Sequence, residues 1–131
     1  MIDELCRVLR RETEAVIALE TRFRALELIV AADGRRSVSR ALEETAAAAD
    51  RLAALELTRV LTLATAGLPV DAAASELVAG IADPDERVAM RRVVARLAMA
   101  MDRLEQTRSR AELVVANGSR SARDQPEARH R

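Results

Sequence analysis

Lysine, tryptophan and tyrosine are missing from this sequence, and cysteine, histidine and phenylalanine occur once each, as Cys6, His130 and Phe23. Each absence closes a class of function. Without aromatic faces there is no platform on which single-stranded nucleic acid can stack. A lone histidine near the C-terminus supports neither a histidine metal site nor a catalytic triad nor a histidine general base. One cysteine cannot close an internal disulfide, which suits a reducing compartment, and Cys6 beside Leu5 reads as a small buried hydrophobe rather than a reactive thiol. The four glycines stand singly at breaks, so no glycine-rich loop exists to cradle a phosphate. No apolar run is long enough to span a bilayer, and the charged, amphipathic opening "MIDELCRVLRRETE" lacks the continuous apolar stretch of a secretory leader. The absence of lysine beside abundant alanine reflects a GC-rich genome more simply than a selected guanidinium chemistry.

What remains is balanced and greasy: half the residues are apolar, and 21 basic side chains meet 21 acidic ones. A net charge of zero gives no attraction to nucleic acid or an anionic membrane surface. At 131 residues the chain has room for one domain with a real core. The reading is a soluble cytoplasmic protein, not an enzyme, with no metal, cofactor or nucleic-acid partner.

Apolar positions step by threes and fours. Ile2, Leu5, Leu9, Val16, Leu19, Phe23, Leu26 and Val30 form a seam interrupted at Glu12, which predicts a helix of about thirty residues ended by Asp33 and Gly34. Glu12 is either a buried element paired with an arginine such as Arg59 or a residue at a wet bundle end. A second helix, capped by Ser37 or Ser39, runs to Ala66 with Val38, Leu42, Ala49, Leu52, Leu55 and Leu63 on its main stripe. Gly67, Leu68 and Pro69 signal its stop. Asp71 can cap a short segment carrying Leu77, Val78 and Ile81. "DPDE" then starts a third long helix, with Asp83 as cap, Pro84 in first position and Glu86 completing an aspartate version of the capping box. Its seam is Met90, Val93, Leu97, Ala100, Leu104, Thr107, Ala111 and Val114, fraying near Asn117. The expected architecture is all-α: an elongated antiparallel bundle of three long helices, with a short helical segment between the second and third. Residues 1–117 form the bundle and 118–131 a disordered tail.

The stretch "LELTRVLTLATAGLP" places Leu57 and Leu61 opposite the main stripe of the second helix, so that helix needs a second cover. Either the segment 68–81 returns along the bundle and lies over them, or another molecule does. A second apolar flank lies on the last helix, where Val94 and Met101 continue through Leu104 toward Val115. The unbranched methionines Met90, Met99 and Met101 can repack around varied partners or simply fill gaps in the core.

At "LAALELTRVLTLATAGLP" the chain resembles the FlgN-type flagellar export chaperones. The likeness covers roughly residues 1–117. It rests on a leucine-rich first helix with an early glutamate, here Glu12 or Glu14, and a second helix ending in Leu55, Glu56 and Arg59. The glycine break at Gly67 and a third long helix complete it. The resemblance implies no catalysis. It implies binding of the C-terminal amphipathic helix of hook-associated proteins, prevention of their premature assembly, and delivery to the membrane gate of the flagellar export apparatus, by a monomer or weak homodimer. A C-terminal tyrosine that some members use at the gate has no counterpart here. The candidate partner-binding residues are Met90, Val94, Leu97, Met101, Leu104, Val115, Leu57 and Leu61. The alternative is a self-associating structural or adaptor protein using the same surfaces. The opening "VIALETRFRALELI" also faintly resembles the first helix of helical chorismate mutases, but those enzymes place a catalytic lysine there.

Overall fold

The computed structural model describes residues 2–32 and 35–124, with side-chain surroundings given through Gly118. Four helices follow in order: α1 (Ile2–Ala31), α2 (Arg35–Thr65), α3 (Ala74–Ala79) and α4 (Pro84–Asp124). No strand occurs among the described residues. The architecture is the expected all-α bundle of three long helices with a short one between the second and third.

Long-range pairs fix the helix directions. Glu12 of α1 meets Arg59 of α2, and Arg22 meets Glu44, so α2 runs antiparallel to α1. Cys6 meets Met90 and Glu27 meets Arg110, so α4 runs parallel to α1. α1 packs along both α2 and α4, while the backbones of α2 and α4 stay apart. That central position explains why α1 buries more than its predicted seam: Cys6, Val8, Thr13 and Ala15 go inside with Leu5, Leu9, Val16, Leu19 and Leu26. A helix covered from two sides needs a wide apolar arc, and small residues supply the close approach.

The core has two clusters. One joins Leu5, Cys6 and Leu9 to Leu63, Val78, Ile81, Met90 and Val93 at the end where α2 stops and α4 begins. The other joins Ala15, Val16 and Leu19 to Leu52, Ala100 and Leu104 at mid-height. Leu97 packs against both and links them.

The stop of α2 is as read. Gly67 takes φ +70°, its N–H donates to the Ala64 carbonyl at 3.0 Å, and the Leu68 N–H donates to the Leu63 carbonyl at 2.9 Å. These two bonds satisfy carbonyls that the helix end would otherwise orphan. At the start of α4 the Asp83 cap and Pro84 in first position hold, with the Asp85 N–H donating to Asp83 Oδ1 at 3.0 Å, but Glu86 returns no bond to the Asp83 N–H, so the capping box is not completed. Arg87 braces the turn before it, donating from Nε to the Ile81 carbonyl and from Nη2 to that of Ala82.

Several expectations need correction. α2 already runs from Arg35, upstream of both Ser37 and Ser39, so neither serine caps it. Its inner stripe in the first half is buried Ala41, Thr45 and Leu52 with half-buried Ala48, while Leu42 and Ala49 are exposed. The alanine-rich middle makes either register available to periodicity alone, and the close approach of α1 selects the one with small residues inside. Asp71 does not cap α3, whose N-cap is Ala73 without a side-chain bond. α4 does not fray at Asn117 but continues to Asp124, so the proposed tail of 118–131 begins inside a helix; residues 125–131, like the Asp33–Gly34 break, lie outside the described residues. Nothing from Asn117 to Asp124 forbids the helix, since the glycine there costs only about 1 kcal/mol.

The segment 68–81 does not return along the bundle. Because α2 comes back antiparallel, it delivers the chain to the end where α4 starts, and the connection only has to cross that end. Val78 and Ile81 plug into the first cluster, and Leu57 and Leu61 remain 60% and 57% exposed.

Candidate functional site

Since α2 and α4 flank α1 without closing on each other, a gap runs between them, and α3 with its flanking loops walls that gap at one end. There the structure has a pocket of about 630 Å³. Its floor is Ile2, Leu5 and Leu9 of α1; one side is Arg59, Thr62, Leu63 and Ala66 of α2. The other side is Met90, Val94 and Leu97 of α4, and Leu68, Pro69, Val70 and Leu77 close the end. A volume in this range suits a small ligand or several side chains of a partner.

The eight residues singled out from the sequence divide into four groups. Val94 and Leu97 are half-buried and line the pocket, as expected of a binding flank. Met90 and Leu104, at 2% and 7% exposure, are taken up by the core, because α1 packs directly onto their row of α4. Cys6 Sγ lies 3.9 Å from Met90 Sδ in that packing, which gives Cys6 its expected buried role, and burial raises the thiol pKa. Met101 is exposed one turn beyond Leu97, and Val115 is half-buried far along the same helix. Leu57 and Leu61 lie outside the pocket and form, with Val60, an exposed apolar patch on the outer side of α2.

Glu12 interrupts the α1 seam and is 3% exposed, with Oε1 2.9 Å from Arg59 Nε. Of the two readings of Glu12, the buried pair is the one realised. The two atoms are close but not aligned for a hydrogen bond, and neither has another partner among the described residues. Burial pushes the Glu12 carboxyl up to about 7, only partly countered by Arg59, and Glu56 pushes it the same way as burial. Arg59 is partly exposed and forms part of the pocket wall, so an imperfectly satisfied ion pair sits beside the apolar cavity.

The contribution of the connection was missed from sequence. The sequence offers the segment 68–81 as a cover for Leu57 and Leu61, whereas its Leu68, Pro69, Val70 and Leu77 cover one end of the pocket instead. An apolar run directly after a glycine-ended helix stop was the available signal. Among the described residues no three histidine, cysteine or acidic side chains gather as a metal site, and no helix is long and apolar enough to cross a membrane. No family model matches the chain, and no match was found among curated proteins or solved structures.

Proposed function

We propose that this protein is a binding chaperone for an amphipathic helix, working without catalysis in the cytoplasm. The particular role proposed is that of a flagellar type III export chaperone, which holds the C-terminal helix of hook-associated proteins and hands them to the export gate. The observation that carries the helix-binding part is the open side of the bundle: two long helices rest on a third with their own backbones apart, leaving an apolar pocket in the gap. An amphipathic helix laid in such a groove would complete the missing side and bury its own stripe. The flagellar part rests on the sequence resemblance alone.

Calorimetric titration with peptides from the C-terminal ends of hook-associated proteins tests this. Saturable binding at about micromolar or tighter, with a negative heat-capacity change, is the expected result. No heat and no shift in elution with any such peptide would remove the flagellar assignment.

The second reading, self-association as a structural or adaptor protein, is favoured by one observation, the exposed patch of Leu57, Val60 and Leu61. Sedimentation separates the two. A chaperone stays a monomer or weak dimer until cargo is added, whereas a scaffold forms an oligomer unaided, and Leu57→Asp with Leu61→Asp would dissolve it.

A further inference from the structure

Four side chains that line the pocket carry formal charge: Arg59 on the α2 side, and Glu76, Asp83 and Glu86 on the side of α3 and the start of α4. They are not equivalent. Arg59 is held against Glu12, so its charge is answered from inside the protein. Glu76, Asp83 and Glu86 make no ion pair with any described residue. Asp83 accepts the Asp85 N–H, which engages one oxygen and leaves the charge in place.

Arg7 and Arg10 lie beside this rim, lining an adjoining pocket with Glu86 and Asp3, and two further positive contributions act at the start of α4. The N-terminus of α4 amounts to about half an elementary charge, and Arg87 adds one more where it bonds the Ile81 and Ala82 carbonyls. With Arg7 and Arg10 these come to about three and a half positive charges against the five carboxylates of Asp3, Glu76, Asp83, Asp85 and Glu86, so the rim stays negative. An apolar floor beside it lowers the local dielectric and strengthens its pull on an incoming charge.

Building on the helix-binding reading above, we propose that the pocket selects an amphipathic helix whose apolar stripe is flanked, on the side meeting α3 and the start of α4, by arginine or lysine. The apolar residues of such a helix fill the space between Leu5, Leu9, Leu63, Leu77, Val94 and Leu97. Its cations reach Glu76 and Glu86 at the rim. A helix with carboxylates in those positions meets like charge and is rejected, so the rim sets specificity and orientation more than affinity.

The test uses the full chain and two synthetic helical peptides of about eighteen residues, about 27 Å long. They share one leucine stripe and differ only in carrying lysine or glutamate beside it. Titration is run at low ionic strength and about pH 9, about two units above the Glu12 pKa of about 7, so that the Glu12–Arg59 pair is ionised while the peptide lysines keep their charge. The lysine peptide is expected to bind about tenfold more tightly, with the preference shrinking as salt is added. Glu76→Gln combined with Glu86→Gln is expected to remove the preference while both peptides still bind; Asp83 is left intact because it caps α4. Equal binding of the two peptides, tighter binding of the glutamate peptide, or a lysine preference that survives in the double variant would each overturn the charge rule and leave helix binding standing. If neither peptide binds, and the hook-associated peptides fail as well, the helix-binding reading falls with it.

Discussion

Glu12 is the residue whose environment differs most from what its type prefers. Its folded pKa, about 7, lies above the ordinary 4.5, so the folded state holds the proton more tightly than the unfolded chain. The resulting stability is fully present below about pH 4.5 and is lost as pH rises toward 7, with a slope of at most about 1.4 kcal/mol per pH unit. Urea unfolding at a series of pH values should therefore show stability falling across that window through this group, and Glu12→Gln should flatten the fall. An unchanged slope in the variant would show that the Glu12 carboxyl titrates normally. Gly118 poses a different single-residue question, because a Cβ there would meet Val30 Cγ1 at 2.9 Å. Glycine to alanine in a helix ordinarily stabilises by about 1 kcal/mol. The valine side chain is short and stiff, so Gly118→Ala is expected to give no gain in the native protein and to recover about 1 kcal/mol once Val30→Ala is also present. Thermal melts of the four proteins in that cycle decide it.

At the scale of elements, the connection between α2 and α4 governs both the pocket and the end of the bundle. Gly67 has open space around its Cα, so Gly67→Ala meets only the backbone penalty of positive φ. A loss of about 1 kcal/mol, seen as a melting temperature lower by about 4 °C, is the expected result. Val70 lies on the pocket wall and is about half exposed, which makes it a cleaner probe of binding than Leu97, whose packing against both core clusters ties it to folding. Val70→Glu should weaken helix-peptide binding at least about tenfold while leaving the melting temperature within about 2 °C. Wild-type binding by that variant would place the peptide elsewhere, with the Leu57, Val60 and Leu61 patch the next surface to probe.

Over the whole molecule, the longest dimension is set by α4, whose 41 residues span about 61 Å. Small-angle scattering from the free protein should give a maximum dimension of at least about 60 Å with the profile of a rod. A dimension near that of a compact sphere of this mass would mean that α4 bends back. Helix completion of the open side should make the cross-section rounder on binding without lengthening the particle.

Much of this protein was determined by its sequence alone. The three-four stepping of Met90, Val93, Leu97, Ala100, Leu104, Thr107, Ala111 and Val114 marked the inner row of α4 before any packing was known, all of it buried except half-buried Leu97 and Val114, because a helix can bury only what its period brings to one side. The ends at Gly67 and Asp83 were equally legible, since a left-handed glycine and a capping aspartate act through neighbours a few residues away. The start of α2 and the cap of α3 were not, because each had rival local signals of similar strength. Where periodicity was degenerate, in the alanine-rich middle of α2, only contact with α1 could choose between Ala41 and Leu42 for the interior. The same holds for Met90 and Leu104, which have the side chains of a binding face and became core because α1 lies on them. The pocket itself belongs wholly to tertiary structure. It exists because α2 and α4 both pack closely on α1 while their own backbones stay apart, and that relation between helices far apart in the chain is written in no local pattern.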